Sequence, residues 1–297
     1  MQYAYRTMLL LCSCMSTTIN ICLTNEFESI KMKDQKENIK TTGQFSAHDR
    51  QGAPIIIEWQ KTTIFSPEFT DIMKAAWTIA RDAYTTDEIQ FLRSYPEVVN
   101  TEDEGTGEFY KPFKPFFKNE SNSIDWSKVK EVMQEALKPH FIFDVSTWGP
   151  EVTAMFAKDI CYGITVKDTQ TQKLLGFITF MIRPSYAPGD VKMMITGVDK
   201  AYLNRDLDSL LMSSIIKINP DIKRICTCVR VTNNTTLKSY KSWGFANTDN
   251  PILDHPHNFK HWIFLEYKTG ASNLLQKIAD RFVDIKFAKT KLQSNVL

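Results

Sequence analysis

Between Val191 and Phe245 strand and helix signals alternate so closely that few architectures accommodate them. Val191-Lys-Met-Met-Ile-Thr-Gly-Val198 predicts a strand with Val191, Met193 and Ile195 on one face. The polar turn Asp199–Ser209 opens a predicted helix that continues through Leu210, Leu211 and Ile215 to Lys217. Ile222–Val231 is an apolar run that predicts a second strand. A short helix follows from about Asn233 or Asn234, carries Leu237, Tyr240 and Trp243, and closes on Gly244. A strand that delivers its end to a helix N-terminus makes an anion site. The first four N–H groups of the helix lack internal partners, and the helix dipole favours negative charge there.

The flanking sequence extends this core in both directions. Pro54-Ile-Ile-Ile-Glu-Trp59 predicts the first strand. Pro67 opens a helix whose Phe69, Ile72, Met73, Ala76, Trp77, Ala80 and Tyr84 form one apolar stripe. Thr85 or Thr86 then suits the cap of a separate helix holding Glu88, Ile89 and Leu92, stopped by Pro96. Residues 97–125, with Glu102-Asp-Glu104 and the aromatic run Phe109–Phe117, predict an irregular insertion that packs or acts as a lid. Asp125 or Ser127 caps a helix over Lys128–Leu137, ended by Pro139, and Glu151–Ala157 suits one more short helix. Ile160–Val166 and Leu174–Ile182 predict an antiparallel hairpin through the turn Lys167–Lys173. After a loop holding Asp254, His255 and His257, His261–Tyr267 predicts the last strand. The segment 271–297, with Leu274, Leu275, Ile278, Phe282 and Ile285, predicts an amphipathic helix suited to packing on the domain or a partner, with a membrane surface the weaker alternative.

Composition removes several function classes. A net charge of +2 over 297 residues, with no basic run interleaved with aromatics, gives no footprint for nucleic acid. Cys226 and Cys228 share a face of a predicted strand and Cys161 lies on another, which suits buried thiols. No Cys or His stands at zinc-like spacing, so no metal is expected. Residues 1–53 read as a polar, flexible leader. Within it Met8-Leu-Leu-Leu-Cys-Ser-Cys-Met15 is like a short signal core, and the run is too short to span a bilayer.

Two phrases carry a family resemblance. Val198-Asp-Lys-Ala-Tyr-Leu-Asn-Arg-Asp-Leu-Asp208 resembles the acyl-coenzyme-A motif of the GNAT superfamily of N-acetyltransferases. Asn233-Asn-Thr-Thr-Leu-Lys-Ser-Tyr-Lys-Ser-Trp-Gly-Phe245 resembles its second motif, an Asn seven residues before a Tyr that leads into Gly-Phe. The resemblance implies an α/β fold over about residues 54–270, a mixed, largely antiparallel twisted sheet flanked by helices. It implies acetyl-CoA as cofactor and direct transfer to a primary amine on a small molecule or a protein, without a covalent enzyme intermediate. It also implies a cytoplasmic protein, with export or a lipid anchor through residues 1–23 as the alternative; a homodimer stays open.

Residue by residue, the resemblance makes Tyr240 the general acid for the leaving thiolate, against the plainer reading of an aromatic anchor. Asn233 would bind the pantetheine arm or cap its helix. Backbone N–H groups near Gly197 and Val198 would face the thioester oxygen, where the family splays two strands apart. Leu203, Asn204, Arg205, Asp206, Leu207 and Asp208 would cradle the pyrophosphate. Here the chain departs from the family: a Gly-x-Gly pair is replaced by Asp206 and Asp208, with only Arg205 to offset them. No general base stands out among Asp190, Asp199, His255 and His257. The contrasting expectation is a GNAT-like module that has lost catalysis.

Overall fold

The computed structural model describes residues 42–100, 109–117, 124–142, 159–252, 261–270 and 273–284. Its strands are β1 (Thr42–His48), β2 (Pro54–Thr62), β3 (Ile160–Asp168), β4 (Leu174–Ile182), β5 (Asp190–Val198), β6 (Arg224–Arg230), β7 (Ala246–Asn247), β8 (Trp262–Lys268) and β9 (Val283–Asp284). Its α-helices are α1 (Pro67–Ser94), α2 (Trp126–Ile142), α3 (Leu207–Ile218), α4 (Asn234–Ser242) and α5 (Asn273–Ala279). The strands form one sheet in the order β7-β8-β6-β5-β4-β3-β2-β1-β9. Every described pair in it is antiparallel except β5 with β6. The result is a mixed α/β fold, a largely antiparallel sheet with helices on both faces.

Each face of the sheet holds its own core. Helices α1 and α2 bury Phe69, Met73, Ala76, Phe91 and Val129 against Phe177, Met181 and Ile195. On the other face Leu211 and Ile215 of α3, Tyr240 of α4 and Leu275 of α5 pack on Ile164, Ile178, Val191 and Leu265.

Several boundaries differ from the sequence expectation, each for a physical reason. Residues 42–48, assigned to the leader, pair with β2 along its length, and buried Phe45 stacks on Phe282 at 5.8 Å. Helix α1 does not break at Thr85 and Thr86. Their hydroxyls donate to the Arg81 and Asp82 carbonyls at 2.6 and 2.7 Å, which satisfies them inside a continuous helix. Its start is as expected, with Ser66 Oγ accepting from the Phe69 N–H at 3.0 Å and Pro67 behind it. Helix α2 runs through Pro139 to Ile142, because Phe141 is fixed between Trp77 and Tyr84 with ring centroids at 5.0 and 4.9 Å.

Within the insertion, Phe109, Tyr110 and Phe113 are buried in the α1–α2 core, so this part packs. The C-terminal helix stops at Ala279; Phe282 then enters the core and Val283–Asp284 pairs with β1. The expected helix at 151–157, the histidines at 255 and 257, and the end of the tail from 285 lie outside the described residues.

Val191, Met193 and Ile195 do not share a face. Thr179 stands opposite Ile195 and Phe180 opposite Met193, so Met194 is an extra residue in β5. This bulge leaves Val191 and Met193 in the α3 core and turns Ile195 into the α1 core. Gly197 lies just beyond it, where a Cβ would stand 2.9 Å from the Phe177 ring and 3.1 Å from Ala80 Cβ. Gly197→Ala is therefore expected to push α1 off the sheet and destabilise the fold by about 1–3 kcal/mol, read from urea unfolding midpoints.

Candidate active site

The two central strands part company. β5 and β6 are parallel and pair only through Asp190–Arg224, Val191–Ile225 and Lys192–Cys226. Past Lys192 the bulge at Met194 bends β5 away, and no ladder joins it to β6 up to its end at Val198. The Asp199 N–H donates to the Leu175 carbonyl at 2.7 Å. Stepping back by twos, the main chains of Gly197 and Ile195 face β4, while those of Thr196 and Val198 face the opening. Tyr84 of α1 uses that exposure: its hydroxyl donates to the Thr196 carbonyl at 2.9 Å and accepts from the Thr196 N–H at 3.4 Å.

A cavity of about 380 Å³ fills the opening. Its walls come from both cores: Ala80, Leu137, Phe141 and Phe264 on one side of the sheet, Met212, Val229, Tyr240 and Trp243 on the other. The cavity thus runs through the gap between the strands and touches the core on each face of the sheet. Of the residues singled out from the sequence, Gly197, Val198, Leu203, Asp208, Asn233 and Tyr240 line it. Asn204, Arg205, Asp206 and Leu207 do not.

The phosphate-side residues depart furthest from expectation. Lys200–Arg205 forms a 3-10 turn, and Asp206 adopts a left-handed φ of 57° at the N-cap of α3 without a side-chain cap bond. A glycine would take that conformation without strain. Arg205 does not offset the two acids: it binds the buried Asp49 carboxylate at 3.0 Å, in the β1–β2 turn. Asp206 instead faces Arg50 at 3.7 Å, both largely exposed. Leu207 is a core residue, and Leu203 stands 61% exposed at the cavity mouth. Asp208 turns its carboxylate back on its own helix, accepting from the Ser209 N–H at 2.9 Å. Burial, with Asp206 adding to it, pushes that carboxyl above the usual range.

Tyr240 and Asn233 are placed by the short helix α4. Asn233 Oδ1 accepts from the Thr236 N–H at 3.0 Å, so it is the N-cap, and its amide donates to Asp87 Oδ2 at 2.6 Å. With both ends of the amide engaged, Asn233 acts through the helix and Asp87. Tyr240 is buried between Trp243 and Phe245, its hydroxyl on Met193 Sδ at 3.7 Å. Burial pushes its phenol well above the ordinary tyrosine value. A thioether is a weak acceptor, so the proton stays available to a better one.

The sequence reading missed the acidic pair Asp87–Glu88, both on the cavity wall. Glu88 is spoken for: Arg230 reaches it at 3.1 and 3.2 Å, and the Tyr110 hydroxyl donates to it. Arg230 in turn lies 3.9 Å from the Trp262 ring centre and 4.2 Å from that of Phe91. Among the described residues Asp87 has only the Asn233 amide as a hydrogen-bond partner. Its carboxyl is pushed up to about 6, chiefly by burial and then by Glu88, with the Asn233 bond acting the other way. The signal was in the sequence, since Tyr84 and Glu88 continue the buried stripe of α1 at four-residue steps. It was hidden by a helix break placed at Thr85 and Thr86.

The earlier candidates for a base lie elsewhere. Asp190 pairs with Arg224 at the closed end of the strand pair, and Asp199 with Lys173 at 2.9 Å. Cys226 and Cys228 are reduced thiols, and burial pushes Cys226 up to about 11. Among the described residues no cluster of His, Cys, Asp and Glu could hold a metal, and no helix is long and apolar enough to cross a membrane.

No protein-family profile and no curated protein matches the chain. Among solved structures it is similar to the PaiA N-acetyltransferase of Thermoplasma acidophilum in complex with coenzyme A, at 13% identity and a TM-score of 0.38, over 71% of this chain and 98% of that one. It is also similar to the GNAT domain of S. lividans PAT, at 14% identity and a TM-score of 0.37, over 76% and 96%. Likeness this slight bears no weight on chemistry, which rests on the geometry above.

Asp87 makes a pH-dependent contribution to stability. Its folded pKa of about 6 lies above the ordinary 3.8, so its contribution is complete below about pH 4 and is lost as the pH climbs through 6. Asp87→Asn is expected to raise the melting temperature at about pH 7.5 and to leave it unchanged near pH 4, read by calorimetry across that range.

Proposed function

We propose that the protein transfers an acetyl group from acetyl-CoA to a primary amine by direct attack, with the two reactants meeting in the cavity that crosses the sheet. The observation that carries this reading is the parting of β5 from β6, which turns Val198's main chain into a water-poor opening with Tyr240 on its far wall. Bound there, acetyl-CoA would supply an activated acyl group and a thiolate leaving group. The Val198 N–H is placed to donate to an acyl oxygen as it gains negative charge. Tyr240 keeps its proton at neutral pH and can give it to the departing sulfur.

At the thioester end, the Val198 main chain turned to the opening and the Tyr240 hydroxyl, held only by a weak thioether acceptor, support the reading. At the diphosphate end, the N-terminus of α3 offers the N–H groups of an anion seat, and the Asp208 carboxylate now takes one of them. Binding of the diphosphate there calls for Asp208 to swing aside. That same carboxylate favours the second reading, a GNAT-like module without catalysis, in which the helix end is permanently satisfied from within.

Calorimetric titration with acetyl-CoA separates the two, since the module reading expects no binding at millimolar cofactor. Asp208→Asn is expected to tighten acetyl-CoA binding severalfold at low salt, equivalent to about 0.3–1 kcal/mol, and an unchanged affinity would remove α3 from the site. Tyr240→Phe is expected to lower turnover by about 100-fold while leaving acetyl-CoA affinity as it was. Equal turnover in variant and parent would reduce Tyr240 to an aromatic anchor.

A further inference from the structure

The acceptor side of the cavity has a chemistry of its own, and its argument rests on the acetyltransferase reading only for the reaction step. On the α1–α2 face the cavity is walled by the apolar Ala80, Leu137, Phe141, Met181, Trp262 and Phe264, with Tyr84, Lys192, Cys228 and the paired Glu88 and Arg230 as its polar members. Against them stands one carboxylate with an uncommitted oxygen. Asp87 Oδ2 takes the Asn233 amide, and among the described residues Oδ1 takes no hydrogen bond. The neighbouring acid does not compete, because Arg230 and Tyr110 already satisfy Glu88. The third carboxylate on the cavity, Asp208, lies at the other face, on the N-terminus of α3.

We infer that Asp87 receives the acceptor, that the acceptor is a primary monoamine on a compact apolar or aromatic body, and that Asp87 Oδ1 takes the proton the amine must lose. One open carboxylate matches one ammonium group. A polyamine would bring further charges into an apolar wall with no partner for them, and a buried unpaired charge is strongly unfavourable. A protein lysine or terminus would need a wide polar mouth on this face, which these side chains do not provide.

The step balances within the groups named. Asp87 Oδ1 first takes a proton from the bound ammonium and passes it to solvent, which frees the nitrogen lone pair. That pair forms the C–N bond to the acyl carbon while the C–S bond breaks. The second proton lost from nitrogen goes to the ionised Asp87 Oδ1, and the departing sulfur takes the Tyr240 proton. Asp87 then returns its proton to solvent and Tyr240 is reprotonated from solvent. Groups acting on Asp87 are Tyr84 and Glu88 on its own helix and the neutral Asn233 at the start of α4, while Cys228 and Arg230 of β6 line the same cavity. Lys192, farther down β5, also opens on the cavity and has an interaction of its own.

The test uses the full chain with 2-phenylethylamine, spermidine and a short lysine-containing peptide, each assayed for free thiol released from acetyl-CoA. The expected kcat/KM for 2-phenylethylamine exceeds the others on the order of tenfold or more. Its rate falls as the pH drops below about 6, where Asp87 becomes protonated. Asp87→Asn is expected to lose about 100-fold in kcat/KM and that acid limb together, with acetyl-CoA affinity unchanged, and Asp87→Glu to keep the limb. Spermidine or the peptide serving as well as the apolar amine would overturn the inference, as would Asp87→Asn retaining turnover. Direct calorimetry of 2-phenylethylamine without acetyl-CoA keeps the two readings apart. Amine binding that Asp87→Asn abolishes supports the acceptor site even where acetyl-CoA fails to bind, and no amine binding to the parent chain overturns it.

Discussion

Everything at the site follows from one residue too many in β5. Met194 has no counterpart on β4, and the bend it imposes is why β5 and β6 stay paired only as far as Lys192 and Cys226. A strand that leaves its neighbour exposes a row of main-chain donors and acceptors, and burying them unsatisfied is costly. Tyr84 meets that demand at Thr196, using one hydroxyl both as donor and as acceptor. Two residues on, no side chain does the same for Val198 among the described hydrogen bonds. The opening is therefore sealed at Thr196 and not at Val198.

The start of α3 shows the same logic with opposite sign. A helix end without a ligand still has unpartnered N–H groups, and Asp208 supplies an internal anion to them. Asp206 takes the left-handed turn without a glycine and leans on Arg50, while Arg205 reaches Asp49. The Arg50 N–H also donates to the Arg205 carbonyl at 3.1 Å, so the β1–β2 turn is fastened to the loop ahead of the helix. The loop is thus braced from outside, by residues 49 and 50.

How much of this was legible depends on which force sets each feature. The elements from Val191 to Phe245 were readable because strand and helix periods are set by local pattern, and Asn233 caps α4 as its residue type suggests. The apolar stripe of α1 was readable for the same reason. Features set by tertiary contact were not. Phe141, held by Trp77 and Tyr84, carries α2 through Pro139, and the pairing of β1 with β2 gives order to residues that look like a leader. The bulge at Met194 was invisible because nothing in Met193-Met194 says which of the two is the extra one. That single ambiguity put Ile195 on the wrong face, and the supposed helix break at Thr85 took Asp87 out of consideration with it.

Two acids side by side on one helix end with different electrostatic fates, and the difference explains why only one is free to act. Glu88 meets Arg230 and Tyr110, and Arg230 is itself held over two aromatic rings, so the group is neutral overall and fully bonded. A satisfied network of that kind fixes β6 against α1. Asp87 shares the burial but not the cation, and a single amide is a weak substitute, which is why its carboxyl is pushed up to about 6. One guanidinium balances one carboxylate, so with Arg230 committed to Glu88 the Asp87 carboxyl is left, among the described residues, to the Asn233 amide alone.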